Sequence, residues 1–266
     1  MSLVAVERPR PHVAVVRLDH PDHLNSMSFD LVGDFYASLN EVGDDNDVWV
    51  VVLTGAGRSF CSGLELEDFG DIPGSDGLGL ARLGMKAISF MSGVVPAMRA
   101  LPQPVIAAVN GPAFGGGMCM TLGADIRLAD ETAVFCGAGV VNGLTAAELG
   151  ATFLLPRLIG ASRSAELLLT GRRLDADEAE RIGLVSRVLP AGEVVEAALD
   201  MADDMCRLSP FGIMMTKEVL WANLEAGSLT AAIDLENRTQ LLAGHTGNLD
   251  EARAAFREGR PPVFTE

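Results

Sequence analysis

The clearest pattern along the chain is a set of short, unbroken apolar runs separated by polar, glycine-rich stretches. VAVVRL at Val13–Leu18, VWVVVL at 48–53, VIAAV at Val105–Val109 and IRLA at 126–129 are rich in β-branched residues. Continuous rather than alternating apolar character is the mark of strands buried on both faces. Between the first two, SFDLVGDFYASLNEVGDD repeats its apolar residues with helical spacing. Its Ser28 suits an N-cap, with Asp30 in the first turn. Strand and helix patterns that alternate in this way predict an α/β fold with a mostly parallel sheet.

From about residue 161 the pattern changes. Helical periodicity covers 162–169, 176–182, 193–207, 210–225, 229–243 and 249–257, and only 184–188 reads as a strand. Long amphipathic faces in this region predict packing against a neighbouring subunit as well as against the protein's own core. The expected division is a core carrying the site at 1–195 and a helical oligomerisation region at 196–266. Segment 68–79, DFGDIPGSDGLG, is a Gly/Pro/Asp-rich loop of the kind found over active sites.

Composition narrows the classes. The chain has 266 residues, 48% of them hydrophobic, and a net charge of −16. That apolar content excludes a disordered chain, and the acidic balance argues against nucleic acid or an anionic membrane as a partner. Cys61, Cys119, Cys136 and Cys206 lack disulfide or metal-knuckle spacing and read as reduced thiols. No stretch reaches the roughly 18 apolar residues of a membrane span, and the first residues lack a signal-peptide core, so the expected location is the cytoplasm. His12, His20, His23 and His245 have no metal-ligand spacing, so no metal is expected.

Two segments carry candidate chemistry, and each directly follows an apolar run. LTGAGRSFCSGLEL (53–66) and NGPAFGGGMCMT (110–121) are glycine-containing strand exits able to present backbone N–H groups. The second also reads as a helix N-terminus with its first amides uncovered. Taken singly, the first is equally an ordinary strand-to-helix turn and the second a close helix–sheet contact. Together they can aim two amides at one point.

With LDHPDHLNSMS (18–28), LPQPVIAAVNGPAFGGGMCMTLGADIRLA (101–129), LLPRLIGASRSAELLLTGRRLDADEAERIGLVSRVLP (154–190) and FREGRPPVF (256–264), these segments follow one another in a familiar order. From about residue 12 to its end, the chain resembles the crotonase, or enoyl-CoA hydratase/isomerase, family. The resemblance implies a ClpP-like spiral of ββα units with a C-terminal helical region that trimerises, as a homotrimer or a dimer of trimers. It implies an acyl-CoA thioester as substrate and no separate cofactor, coenzyme A being part of that substrate.

The resemblance also assigns residues. The amides of Leu64 and Gly116 form the oxyanion hole for the thioester oxygen. His23, Leu24, Ser62, Leu64, Gly115 and Gly116 contact the CoA ester. A C-terminal helix from a neighbouring subunit forms a lid, with Phe256 at its aromatic position and Arg260 beside Gly259, where a lysine is usual. Arg58 and Arg82 are further candidates for the phosphates.

The acid–base groups depart from the hydratase pattern. At the two positions where hydratases of the family carry glutamate, this chain has Cys119 and Gly139. Cys119 reads either as a reactive thiol at a helix start or as a small filler of the vacated position. Glu148 falls where some isomerases of the family carry a catalytic carboxylate, though it also reads as a helix cap after Thr145. The leading expectation is an isomerase that shifts a double bond with Glu148 as its single base. An enoyl-CoA hydratase with atypical acid–base groups and a non-catalytic acyl-CoA binder are the alternatives.

Overall fold

The computed structural model describes residues 2–265. Strands β1 (Val4–Arg10) and β2 (Val13–Leu18) form an antiparallel hairpin, followed by α1 (Phe29–Asp44), β3 (Val50–Gly55), α2 (Leu80–Ser92) and α3 (Val94–Ala100). Next come β4 (Val105–Val109), β5 (Ala113–Phe114), α4 (Gly116–Gly123), β6 (Ile126–Asp130) and β7 (Val134–Cys136). Then follow α5 (Ala151–Ile159), α6 (Ala161–Thr170), β8 (Leu174–Asp175), α7 (Ala176–Arg181) and β9 (Arg187–Leu189). The chain closes with α8 (Val194–Cys206), α9 (Pro210–Asn223), α10 (Leu229–Ala243) and α11 (Asn248–Glu258).

The large sheet has the order β1-β2-β3-β4-β6-β9 and is parallel from β2 onward. A small sheet, β5-β7-β8, lies at its strand exits. Each of β4 and β6 leaves the large sheet, enters the small one as β5 or β7, and continues toward a helix. Isolated bridges Met27–Leu64 and Cys61–Ala113 extend the small layer along the same direction. Repetition of this step is the expected spiral of ββα units.

The apolar runs are continuous because both faces of the sheet are covered. Val13, Val15, Val50, Val52 and Ile106 pack against Val194, Ala198 and Ala202 of α8. Their neighbours Ala14, Val16, Val51 and Leu53 face the main core, with Phe35 of α1 and Met98 of α3. Ser28 caps α1 as its sequence predicts, its Oγ accepting from the Leu31 N–H at 3.1 Å.

The division expected at residue 195 falls inside α8, which is part of the two-faced core. The helices that extend beyond this core begin with α9, anchored by the buried Lys217. Its neighbour α10 has no buried residue and leaves Leu229, Ile233, Leu241 and Leu242 exposed. Among the described residues no helix is long and apolar enough to cross a membrane.

Candidate active site

The site begins with a turn inside LDHPDHLNSMS whose backbone conformation the sequence does not signal. Leu24 and Asn25 both adopt left-handed backbone conformations, at φ 53° and 56°. The fully buried Asn25 amide donates to the carbonyls of Ala56 and Ser59 at 2.9 and 2.8 Å, and its oxygen accepts from the His20 N–H at 2.9 Å. One side chain thereby joins the 20–25 turn to the exit of β3. Asn110 makes the matching joint between β4 and β3, accepting from the Gly55 N–H and donating to the Gly55 carbonyl.

From this joint the two chains run side by side. The Ser62 N–H donates to Leu24 O, the Met27 N–H to Gly63 O at 2.7 Å, and the Glu65 N–H to Met27 O at 3.1 Å. In such a parallel ladder only alternate residues face the partner strand. Leu64, lying between Gly63 and Glu65, therefore directs its own N–H to the opposite side.

The second turn comes up against the first. Gly63, at φ +93°, has no side chain, and a Cβ there would stand 2.7 Å from Phe114 O and 3.6 Å from the Gly115 Cα. Gly115 is the N-cap of α4, and its N–H donates to Cys136 O at 2.8 Å. Gly116 opens the helix, so its N–H is one of the amides that lack an intrahelical acceptor. The amides of Leu64 and Gly116 thus come from adjoining turns, each outside its local ladder.

Both residues line a cavity of ≈ 410 Å³. Phe29, Phe69, Ile88 and Met91 supply apolar wall, and Glu148 is the sole ionisable group among the lining residues. A Cβ placed on Gly115 would lie 3.5 Å from Glu148 Oε1, so this carboxylate lies directly against the second glycine turn. Burial raises the Glu148 pKa above its ordinary value of 4.5. A larger cavity of ≈ 700 Å³ between α3, α5 and α9 abuts this one at Ser92 and Leu149. It contains Arg99, Arg157 and Glu225 but neither of the glycine turns.

The helix-cap reading of Glu148 does not match its surroundings. The N-cap of α5 is Gly150, with no side-chain cap bond, and Glu148 precedes it by two residues. Leu149, between them, is held at φ +44°, a conformation uncommon for a bulky residue.

A model of the enoyl-CoA hydratase/isomerase family matches residues 9–266. The chain belongs to this family. A curated relative from Mycobacterium bovis, named "Probable enoyl-CoA hydratase echA12", is 48% identical over all of this chain and 94% of its own length. The solved structure of a "probable enoyl-CoA hydratase/isomerase" from Mycobacterium abscessus superposes with a TM-score of 0.94 at 44% identity, covering 99% of this chain and 98% of that one. A monofunctional enoyl-CoA isomerase from Mycobacterium smegmatis gives a TM-score of 0.74 at 45% identity, covering 88% and 99%.

The chain is thus an acyl-CoA-processing enzyme of the enoyl-CoA hydratase/isomerase family, and its expected site residues fall into two groups. His23, Leu24, Ser62, Leu64, Gly115, Gly116 and Glu148 lie on the joined turns and the cavity floor. His23 stacks on His20 with ring centroids 4.3 Å apart, and its Nδ1 is 3.3 Å from Glu65 Oε2. Phe256 and Arg260 lie outside the lining of their own protomer's cavity. Phe256 is 88% exposed on α11, and Arg260 pairs with Glu251 and Glu258 at 2.6 and 2.7 Å. Their expected role crosses a subunit boundary. Arg58 and Arg82 are exposed.

Cys119 is buried, and desolvation pushes its thiol well above the ordinary value, with the nearby Glu148 charge adding to the effect. That environment suits a small filler and opposes a reactive thiolate. Glu65, a flanking acid in the sequence, is a structural clamp. It accepts from Ser26 Oγ at 2.6 Å and from the Leu66 and Glu67 amides, which together hold its carboxyl at about 2.

Proposed function

We propose that this enzyme moves a double bond along the acyl chain of an enoyl-CoA, with Glu148 as the only acid–base group. In a 3-enoyl thioester, the Glu148 carboxylate takes a proton from the carbon next to the carbonyl. The electron pair left behind delocalises onto the thioester oxygen and across the double bond. The Leu64 and Gly116 amides hold that oxygen as it becomes negative. The Glu148 carboxylic acid then returns the proton to the far end of the dienolate, giving the 2-enoyl thioester. One proton leaves and one returns, and no water is consumed.

The single observation carrying this reading is the lone carboxylate, raised in pKa by burial, that shares the cavity with the two glycine turns and lies against one of them. A base poised above the ordinary carboxylate value is a better proton acceptor at neutral pH. Hydration by the two-glutamate route lacks its groups, because Cys119 and Gly139 stand in those positions. Preorganised amides stabilise the developing oxyanion by roughly 3–4 kcal/mol each.

The test is incubation with 3-enoyl and 2-enoyl thioesters, followed by absorbance and mass. An isomer of unchanged mass supports the proposal, and a product heavier by one water assigns the enzyme to hydration. Glu148→Gln should lower kcat on the order of 10²–10⁴-fold while leaving the Kd for a saturated acyl-CoA unchanged. Assembly as a trimer or dimer of trimers belongs to the same reading and is supported by the exposed apolar residues of α10. Light scattering on the purified protein measures it.

A further inference from the structure

The ≈ 700 Å³ cavity between α3, α5 and α9 is bordered by more positive charge than its surroundings balance. Arg99 of α3 lines it, with its guanidinium carbon 3.2 Å above the Trp221 ring and its Nη2 donating to Leu122 O at 3.0 Å. Close by, the buried Arg127 donates to Ala124 O at 2.8 Å, and the buried Lys217 pairs with Asp125. Among the described residues Asp125 is the one carboxylate paired with any of these three cations, through Lys217 alone. The enclosed Arg99 Nε–H has no acceptor among them. Burial lowers the Arg99 pKa and draws that of Arg127 down to about 10, the neighbouring Arg99 charge adding to the second shift. Cations under this strain are stabilised by a further anion.

The lining indicates which anion fits. This cavity meets the smaller one that holds Glu148 along a seam formed by Ser92 and Leu149. Beyond the seam Val95, Leu154, Leu158 and Leu220 supply apolar wall, and the Arg157 guanidinium lies 3.5 Å over the Phe153 ring. Glu225 is the sole carboxylate of the lining and is exposed. An inorganic anion would match the arginines and leave the apolar wall wet. A plain alkyl tail would cover the wall and leave the arginines unmatched. A chain that is apolar along its length and anionic at its tip satisfies both.

We propose that the larger cavity receives the far end of the acyl chain and that Arg99, aided by Arg157, binds a carboxylate there. The substrate class is then an acyl-CoA whose chain ends in a carboxylate, an ω-carboxyacyl thioester. This inference rests on the reading of the Glu148 cavity as the acyl site. A carboxylate drawn into an aliphatic tunnel without a partner loses its hydration, so a tunnel of apolar wall alone favours the methyl-ended chain. Guanidinium groups reverse that sign, because their planar N–H fork matches a carboxylate.

The test measures Kd for matched pairs of saturated acyl-CoAs, one ending in a methyl and one in a carboxylate, over a series of chain lengths, together with kcat/KM for the corresponding 3-enoyl pairs. The parent should bind the carboxylate-ended member on the order of 10–100-fold more tightly once the chain passes the seam, the scale of charge-assisted hydrogen bonds, and should show no such preference for short chains. Arg99→Gln should erase the preference and Arg99→Lys should restore part of it. Arg163→Gln, which removes an exposed arginine of α6 outside both cavities, should keep it. A parent that binds methyl-ended chains at least as tightly at every length overturns the inference, as does an undiminished preference in Arg99→Gln. Isomerisation of the methyl-ended substrates in either case leaves the proposed function standing. Because Kd is read on saturated ligands, a hydrated product overturns the proposed function and leaves the preference intact. Should Arg99→Gln not fold, the length dependence of the parent and a weakened preference in Arg157→Gln decide the matter.

Discussion

Lys217 and Asp125 form a buried ion pair at 2.9 Å that fastens α9 to the start of β6. The same carboxylate accepts the Val105 N–H at 2.7 Å and the Trp221 Nε1–H at 2.5 Å, and Lys217 also donates to Gln103 O at 2.9 Å. Burial pulls the lysine below its ordinary range, with the charge of Asp125 opposing that shift. Asp125→Ala leaves the buried ammonium without its counter-charge and the half-buried indole N–H without its acceptor. Its expected cost is roughly 3–5 kcal/mol, the range for removing one member of a buried pair. Urea unfolding measures this, and a loss below about 1 kcal/mol, typical of exposed pairs, would contradict it.

Gly63→Ala tests the paired turns. The added methyl would lie 2.7 Å from Phe114 O, and the backbone at φ +93° disfavours it. The two turns must separate, which pulls the Leu64 and Gly116 amides apart. Turnover should fall on the order of 10²–10³-fold, the range seen when one oxyanion donor is lost. Steady-state kinetics with a preserved circular dichroism spectrum separates this outcome from misfolding.

The acid limb of kcat/KM should lie above pH 4.5, because burial raises the Glu148 pKa and the base works only when ionised. Activity is therefore lost as pH falls through that raised value. The same shift has a stability counterpart of known sign. A carboxyl whose folded pKa exceeds its unfolded one contributes stability at low pH that disappears as pH rises through the folded value. Glu148→Gln should accordingly melt higher than the parent at neutral pH, with the difference shrinking toward pH 4. Thermal melts at both pH values check it.

Glu65 behaves with the opposite sign. Its carboxyl is held at about 2, chiefly by the Ser26 hydroxyl and then by the Glu67 amide. Stability from this group is present above the ordinary carboxylate value and is lost as pH drops toward 2. Glu65→Gln should cost roughly 1.5–3 kcal/mol at neutral pH, the scale of hydrogen bonds to a charged acceptor. The gap to the parent should close in strongly acidic buffer, as acid-unfolding curves would record.

Sequence patterns located β2, β3, β4 and β6 well, since burial on two faces leaves runs such as VAVVRL and VIAAV uninterrupted, whereas the strand expected at 184–188 is displaced to Arg187–Leu189. Helix α10 falls on the expected residues 229–243 because Ser228 caps its start and Gly244 follows its end. Strand β1 is obscured by Pro9 and by its exposed middle. The small sheet is illegible because β5 and β8 are two residues long and depend on partners far away in the chain. Helix α2 follows a glycine-rich loop and buries no residue fully, so its apolar positions give no clear boundary.

Leu64, Gly116 and Glu148, which the family resemblance assigns and glycine spacing alone does not, line one cavity in the structure. What escaped was the joinery. Asn25 reaches across more than thirty positions to close the first turn. Its neighbour in sequence, Leu24, shares its left-handed backbone, and no local signal announces either conformation. The contact of Gly139 with Thr145 O likewise depends on a fold-back that composition does not encode.

The cavity wall formed by Phe69, Ile88 and Met91 has a consequence for how the molecule can change. Segment 66–92 carries this wall, and its ties to the rest include the Phe29 N–H to Phe69 O bond, while Lys86 bonds within the segment to Gly74 O. The amides and the carboxylate are mounted elsewhere, on the strand exits and the lead-in to α5. On the proposed mechanism, much of the acyl-chain wall and the proton-transfer groups therefore lie in separate stretches of chain. Grafting residues 69–91 from one relative to another should redraw which acyl chains are accepted while the proton shuttle stays in place, which makes this segment the natural handle for evolving or engineering new selectivity.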